Sequence, residues 1–142
     1  MEIKYFQVNK RDREALLSKI RTVLNRRADI LFAYLHGSFV AEEQFRDIDL
    51  AVFLMPPFSS PLQVELVLEA ELAGFVKKYP VEVRVLNRAP LSFQYNVIKH
   101  GKPLVVADDD ARCDFVEATL RDYFDFAPFR RMYLKEVLGS GI

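Results

Sequence analysis

Leu16, Leu17, Ile20, Val23 and Leu24 recur among charged residues between Lys10 and Arg27. That spacing lays one apolar stripe along a first helix. Asp29 interrupts the pattern, and Ile30-Leu31-Phe32-Ala33-Tyr34-Leu35 then forms the short apolar run of a buried strand, ending at Gly37-Ser38. Asp47 to Leu54 reads as a second strand, stopped by Pro56-Pro57. A helix is expected from about Pro61 to Lys78, with Leu62, Leu66, Leu72, Ala73 and Val76 on or near one face. Ser60 and Pro61 suit its N-terminus. Val81-Glu82-Val83-Arg84-Val85-Leu86 alternates strictly and predicts a third strand. Pro90 to His100 predicts a short helix with Gly101 as its C-cap, and His100 favours the dipole there. Pro103 to Ala107 predicts a small edge strand. A long helical region follows from about 110 to 138, with Val116, Leu120, Tyr123, Phe124 and Ala127 on one face. Pro128 is expected to kink or divide it, and Gly139 to Ile142 to fray. The aromatic series Tyr123, Phe124, Phe126, Phe129 and Tyr133 reads as packing, with a protein interface as its other use.

A chain of 142 residues without repeat or linker is read as one domain, residues 1–142, able to bury about two-thirds of its unfolded surface. Lys plus Arg and Asp plus Glu are equal at 20 each, which argues against a broad electrostatic footprint for nucleic acid. Direct nucleic-acid binding is therefore not expected. The one cysteine, Cys113, has no internal disulfide partner, and no apolar run approaches bilayer length. A cytoplasmic location, with no membrane association, fits this composition.

The chemistry concentrates in residues 37–54. Alternate residues of a strand share a face, so Asp47 and Asp49 point one way while Ile48 and Leu50 point the other. Two carboxylates on an apolar strand are costly to desolvate without compensation. Mg²⁺ supplies it, since it binds through one or two carboxylates together with substrate phosphates. Gly37-Ser38 adds a turn where the backbone can approach a phosphate closely. A third carboxylate from a neighbouring strand would complete a phosphoryl- or nucleotidyl-transfer site. Glu82 is the candidate, and strand parity puts Arg84 on its face, either to contact a phosphate or to neutralise Glu82. A solvated strand face with a local ion pair is the other reading of Glu82 and Arg84. His36, just before Gly37, is read as structural in preference to a base.

Gly37-Ser38-Phe39 followed by Asp47-Ile48-Asp49-Leu50-Ala51-Val52 resembles the nucleotidyltransferase superfamily that includes polymerase β. Val81 to Pro90, Ile98 to Leu104 and the aromatic C-terminal helix extend the resemblance to minimal nucleotidyltransferases, the antitoxin partners of HEPN-type toxins. The resemblance implies an α+β fold, a small mixed β-sheet flanked by helices with a C-terminal helical region. It implies that Asp47, Asp49 and Glu82 hold Mg²⁺ and serve catalysis, and that Gly37 and Ser38 hold the triphosphate of ATP. It further implies a protein adenylyltransferase that moves AMP from ATP to a tyrosine of a partner HEPN-type toxin. Val40-Ala41-Glu42 stands where the family often has an Ala-Arg-Gly-like segment, and Glu82 where aspartate is usual. Two alternatives stay open: an antitoxin that masks the toxin without catalysis, and a small-molecule nucleotidyltransferase. Acceptor identity, metal number and homo-oligomerisation are also open.

Overall fold

The computed structural model describes residues 3–138, and side chains as far as Asp125. Helix α1 spans Lys10–Asn25, opened by Asn9, whose side chain accepts from the Asp12 amide at 2.8 Å. Its buried residues are the five of the sequence stripe. Strand β1 (Ile30–His36) leads through a one-turn helix α2 (Ser38–Ala41) to β2 (Ile48–Leu54). Helix α3 (Pro61–Phe75) and β3 (Val81–Val85) follow, then α4 (Leu91–His100), β4 (Lys102–Val106) and α5 (Asp109–Leu138).

The sheet order is β3-β2-β1-β4, with β1 antiparallel to both β2 and β4 and β2 parallel to β3. A parallel pair needs a crossover, and α3 provides it. One sheet face packs on α1 and α3 through residues such as Ile20, Leu24, Leu50, Val52, Leu68 and Leu72. The other carries a smaller core of Phe32, Ala51, Val97 and Phe115 beneath α4 and α5. Tyr95 of α4 and Tyr123 of α5 stack with ring centroids 3.6 Å apart. The fold is thus the expected α+β arrangement with a mixed sheet, and no described helix is long and apolar enough to cross a membrane.

The structure corrects several helical expectations. Leu72 and Val76 are buried as expected, but Leu62 and Leu66 are 63% and 57% exposed, and Val64 and Leu68 face inward in their place. Helix α3 also carries apolar residues on its solvent side, Leu62, Leu66 and Val67, so periodicity could not single out its inward face. It ends at Phe75, earlier than Lys78, and Ser60 makes no side-chain cap. Gly101 caps α4 in an extended conformation, not a left-handed one. It is needed for space: a Cβ there would lie 2.9 Å from the Leu35 carbonyl oxygen and 2.5 Å from that of Val97. Among the described side chains of α5 the buried positions are Phe115 and Thr119, whereas Phe124 is exposed, because Phe115 reaches Phe32 and Phe53. The α5 helix continues through Pro128 undivided. The side chains of Phe126, Ala127, Phe129 and Tyr133 and the tail from Gly139 lie outside the described residues.

Strand β3 lies at the sheet edge, and its outward amides are not left to water. Val83 donates to Glu69 Oε2 and Val85 to Glu65 Oε2, both at 2.8 Å. Four residues of helix rise about 6 Å and two residues of strand about 6.6 Å, so carboxylates one turn apart match alternate amides. At the other edge Arg21 Nε donates to the Leu104 carbonyl at 3.3 Å. Such occupation discourages strand addition. Replacing Glu65 and Glu69 together by Ala should cost about 1 kcal/mol per lost bond. Urea denaturation reads the cost, and amide exchange should quicken at Val83 and Val85 specifically.

Candidate active site

Strand register assembles the site. His36, Asp49 and Glu82 stand abreast across β1, β2 and β3, and Tyr34, Ala51 and Arg84 form the next row. Asp47 immediately precedes β2, and its partner Ile48 is fully buried beneath, as is Leu50. Oxygens of Asp47, Asp49 and Glu82 lie within 4.8 Å of one another. The two aspartates are half-buried and Glu82 is exposed.

Gly37 is indispensable to this packing for two reasons. Its φ of 78° lies in the left-handed region that side chains resist, and a Cβ would overlap Asp49 Oδ2. The glycine therefore lets a carboxylate press against the β1–α2 turn. Gly37 O accepts from the amides of Val40 and Ala41, both at 3.1 Å, which starts α2. Ser38 and Phe39, as its first residues, have no intrahelical acceptor for their amides. Sequence pattern alone did not suggest this helical turn, because only four residues form it.

The loop from 42 to 47 is pinned by Phe45, whose ring packs on Phe39, Tyr79 and Phe6. The Arg46 amide donates to Ser38 Oγ at 3.4 Å, and Gln7 Nε2 donates to Glu43 at 3.0 Å. Glu43 is therefore engaged by the N-terminal segment. Arg84 does not pair with Glu82; its guanidinium lies 4.8 Å from the centre of the Phe93 ring. His36 meets the same ring edge-on at 5.5 Å. His36 Nε2 is buried without a hydrogen-bond partner among the described residues. Burial lowers the His36 pKa from its ordinary value, Arg84 lowers it further and Asp47 opposes them. His36 thus borders the carboxylates, a position that its place before Gly37 only hinted at. Phe93 carried no sequence signal, since it meets the site through the packing of α4. His100 is exposed in the last turn of α4.

The Asp49 pKa is raised from 3.8 to about 7, first by burial, then by the charges of Asp47 and Glu82, with Arg46 opposing. This is the signature of negative charge gathered without enough cation. The donor atoms are carboxylate oxygens, the hard ligands that Mg²⁺ prefers. The residues therefore fit a divalent cation.

The family profile "Polymerase beta, Nucleotidyltransferase" matches residues 18–110, from within α1 to the start of α5. The chain belongs to the polymerase β nucleotidyltransferase family. No curated protein matches it by sequence. Solved structures of this nucleotidyltransferase fold do. A chain from the tri-AMPylated Shewanella oneidensis HEPN toxin in complex with MNT antitoxin aligns with TM-score 0.66 at 21% identity, covering 88% of this chain and 98% of that one. A chain from a toxin–antitoxin structure with AMP-PNP aligns with TM-score 0.68 at 24% identity, covering 86% and 98%. A chain of the toxin–antitoxin MntA-HepT gives 0.66, 21%, 88% and 98%.

Two outcomes test the site. Asp49 holds its proton more tightly folded than unfolded, so without divalent cation its contribution to stability is complete below about pH 4 and is lost as pH rises through about 7. Thermal melts should show that loss in wild type and a flatter profile in Asp49→Asn. Mg²⁺ should restore stability more at pH 8 than at pH 5.5. Gly37→Ala should displace the Asp49 carboxylate and weaken Mg²⁺ binding at least about tenfold by titration calorimetry.

Proposed function

We propose that this nucleotidyltransferase transfers AMP from ATP to a tyrosine of a partner HEPN-type toxin and so neutralises it. The observation that carries the reading is the convergence of Asp47, Asp49 and Glu82 beside the Gly37 turn. Two structural neighbours support its direction, one containing a tri-AMPylated HEPN toxin with an MNT antitoxin and one containing AMP-PNP. In this reading residues 1–142 act as one nucleotidyltransferase domain in the cytoplasm.

Asp47, Asp49 and Glu82 would hold Mg²⁺, and Gly37 and Ser38 would receive the triphosphate through backbone amides. Bound there, Mg²⁺ would offset the charge on the reacting phosphate. The chain itself supplies position. Gly37 keeps the turn free of a side chain, so that a phosphate and the Asp49 carboxylate can approach the same backbone. Glu82, exposed on the outer strand, faces the side from which a protein acceptor can arrive. Its carboxylate orients the tyrosine hydroxyl and takes its proton as the oxygen bonds to the α-phosphorus. The bond to the β-phosphate oxygen breaks, and pyrophosphate leaves. Most of the catalysis is then orientation and electrostatics.

A second reading, inhibition by masking alone, is favoured by one observation. Val40-Ala41-Glu42 places no cation in α2 or at its end, where a triphosphate would benefit from one. One experiment separates the two. Labelled ATP, Mg²⁺ and the cognate toxin should give label on a toxin tyrosine with wild type, reduced at least about a hundredfold by Asp47→Asn with Asp49→Asn. If that variant labels no toxin yet neutralises it in cells as well as wild type, masking is the mechanism.

A further inference from the structure

Beyond Glu82, along the outer strand, the molecule carries an open cleft of about 390 Å³ lined by Pro61, Glu65, Arg84, Arg88 and Pro90. Arg84 shares the strand face of Glu82, two residues on, so the cleft opens about 6.6 Å further along β3. Both arginines are braced. Arg84 rests on the Phe93 ring at 4.8 Å and Arg88 on the Phe58 ring at 5.4 Å. Neither has a carboxylate within ion-pair distance among the described residues. Glu65 is the cleft's one acid, and one of its oxygens already accepts the Val85 amide. Two planar forks held on aromatic rings, with their donors unspent, suit bidentate recognition of carboxylates.

We propose that Arg84 and Arg88 form a docking cleft for an acidic segment of the protein acceptor. The inference rests on the reading that places the acceptor on the Glu82 side. Three features favour an extended acidic peptide. The cleft is larger than one small anion needs. It lies at the edge strand, across β2 from the Gly37 turn that would take the triphosphate. Its proline walls at 61 and 90 carry no amide donor, so the arginines dominate its polar recognition. Docking there would lead the neighbouring tyrosine toward Glu82, and no bond is made or broken in the cleft itself.

The test measures binding without turnover, so that failure of adenylyl transfer and failure of the cleft are separate results. A fluorescent peptide with a tyrosine flanked by aspartates and glutamates is compared with its Asn/Gln counterpart, by anisotropy, without ATP. The acidic peptide should bind wild type at least about tenfold tighter, with a steep salt dependence. Arg88→Gln should weaken that preference at least about threefold while leaving AMP-PNP affinity with Mg²⁺ within about twofold, and Arg84→Gln with Arg88→Gln should abolish it. Arg88→Glu alone, an exposed substitution, should turn the preference toward a lysine-flanked peptide. Equal binding of both peptides to wild type would overturn the proposal. Loss of AMP-PNP affinity with the peptide preference intact would also overturn it, assigning these arginines to the nucleotide.

Discussion

The parallel alignment of β2 with β3 is the constraint on which the site depends. It sets Glu82 beside Asp49, two residues beyond Asp47, and brings three acids within 4.8 Å. Two carboxylates at such a separation repel by on the order of 3 kcal/mol at an effective dielectric of about 20. The fold accepts that repulsion because the residues beneath, Ile48 and Leu50, are fully buried and cannot be given up to relax it. Burial first, and then this repulsion, raises the Asp49 pKa. A cation is the chemical answer to that charge, and a nucleotide is the partner such a cation brings.

Support for this arrangement is concentrated at the sheet edge and at one turn. Glu65 and Glu69 fasten the outer strand through its own amides, so the strand that carries Glu82 and Arg84 is held from both sides. Gly37 gives the Asp49 carboxylate room against the backbone. Phe45, seated among Phe6, Phe39 and Tyr79, fixes the acidic loop with Glu43 turned to Gln7. Apolar packing thereby decides the electrostatics, because it dictates which charges face the site.

Membership of the polymerase β nucleotidyltransferase family agrees with this chemistry, and the likeness to the solved structures extends to the fold. The site is open on the β3 side, where Glu82 and Arg84 are exposed, and closed on the other by His36 and α4.

Period-two alternation determined by itself that Asp47 and Asp49 share a face and that Glu82 and Arg84 share another, because strand parity is a property of covalent geometry. The α1 stripe was equally legible, its five apolar residues matching the buried ones. Helix α3 was legible only in part: Leu72 was expected inward, but Leu62 and Leu66 are apolar as well, and only the sheet it meets selects Val64 and Leu68 over them. The inward face of α5 likewise depended on where Phe32 and Phe53 lie. No local pattern could align Asp49 with Glu82, seat Arg84 on Phe93, or show that Gly37 makes room for a carboxylate. Those are meetings of residues distant in sequence, and only the packed sheet decides them.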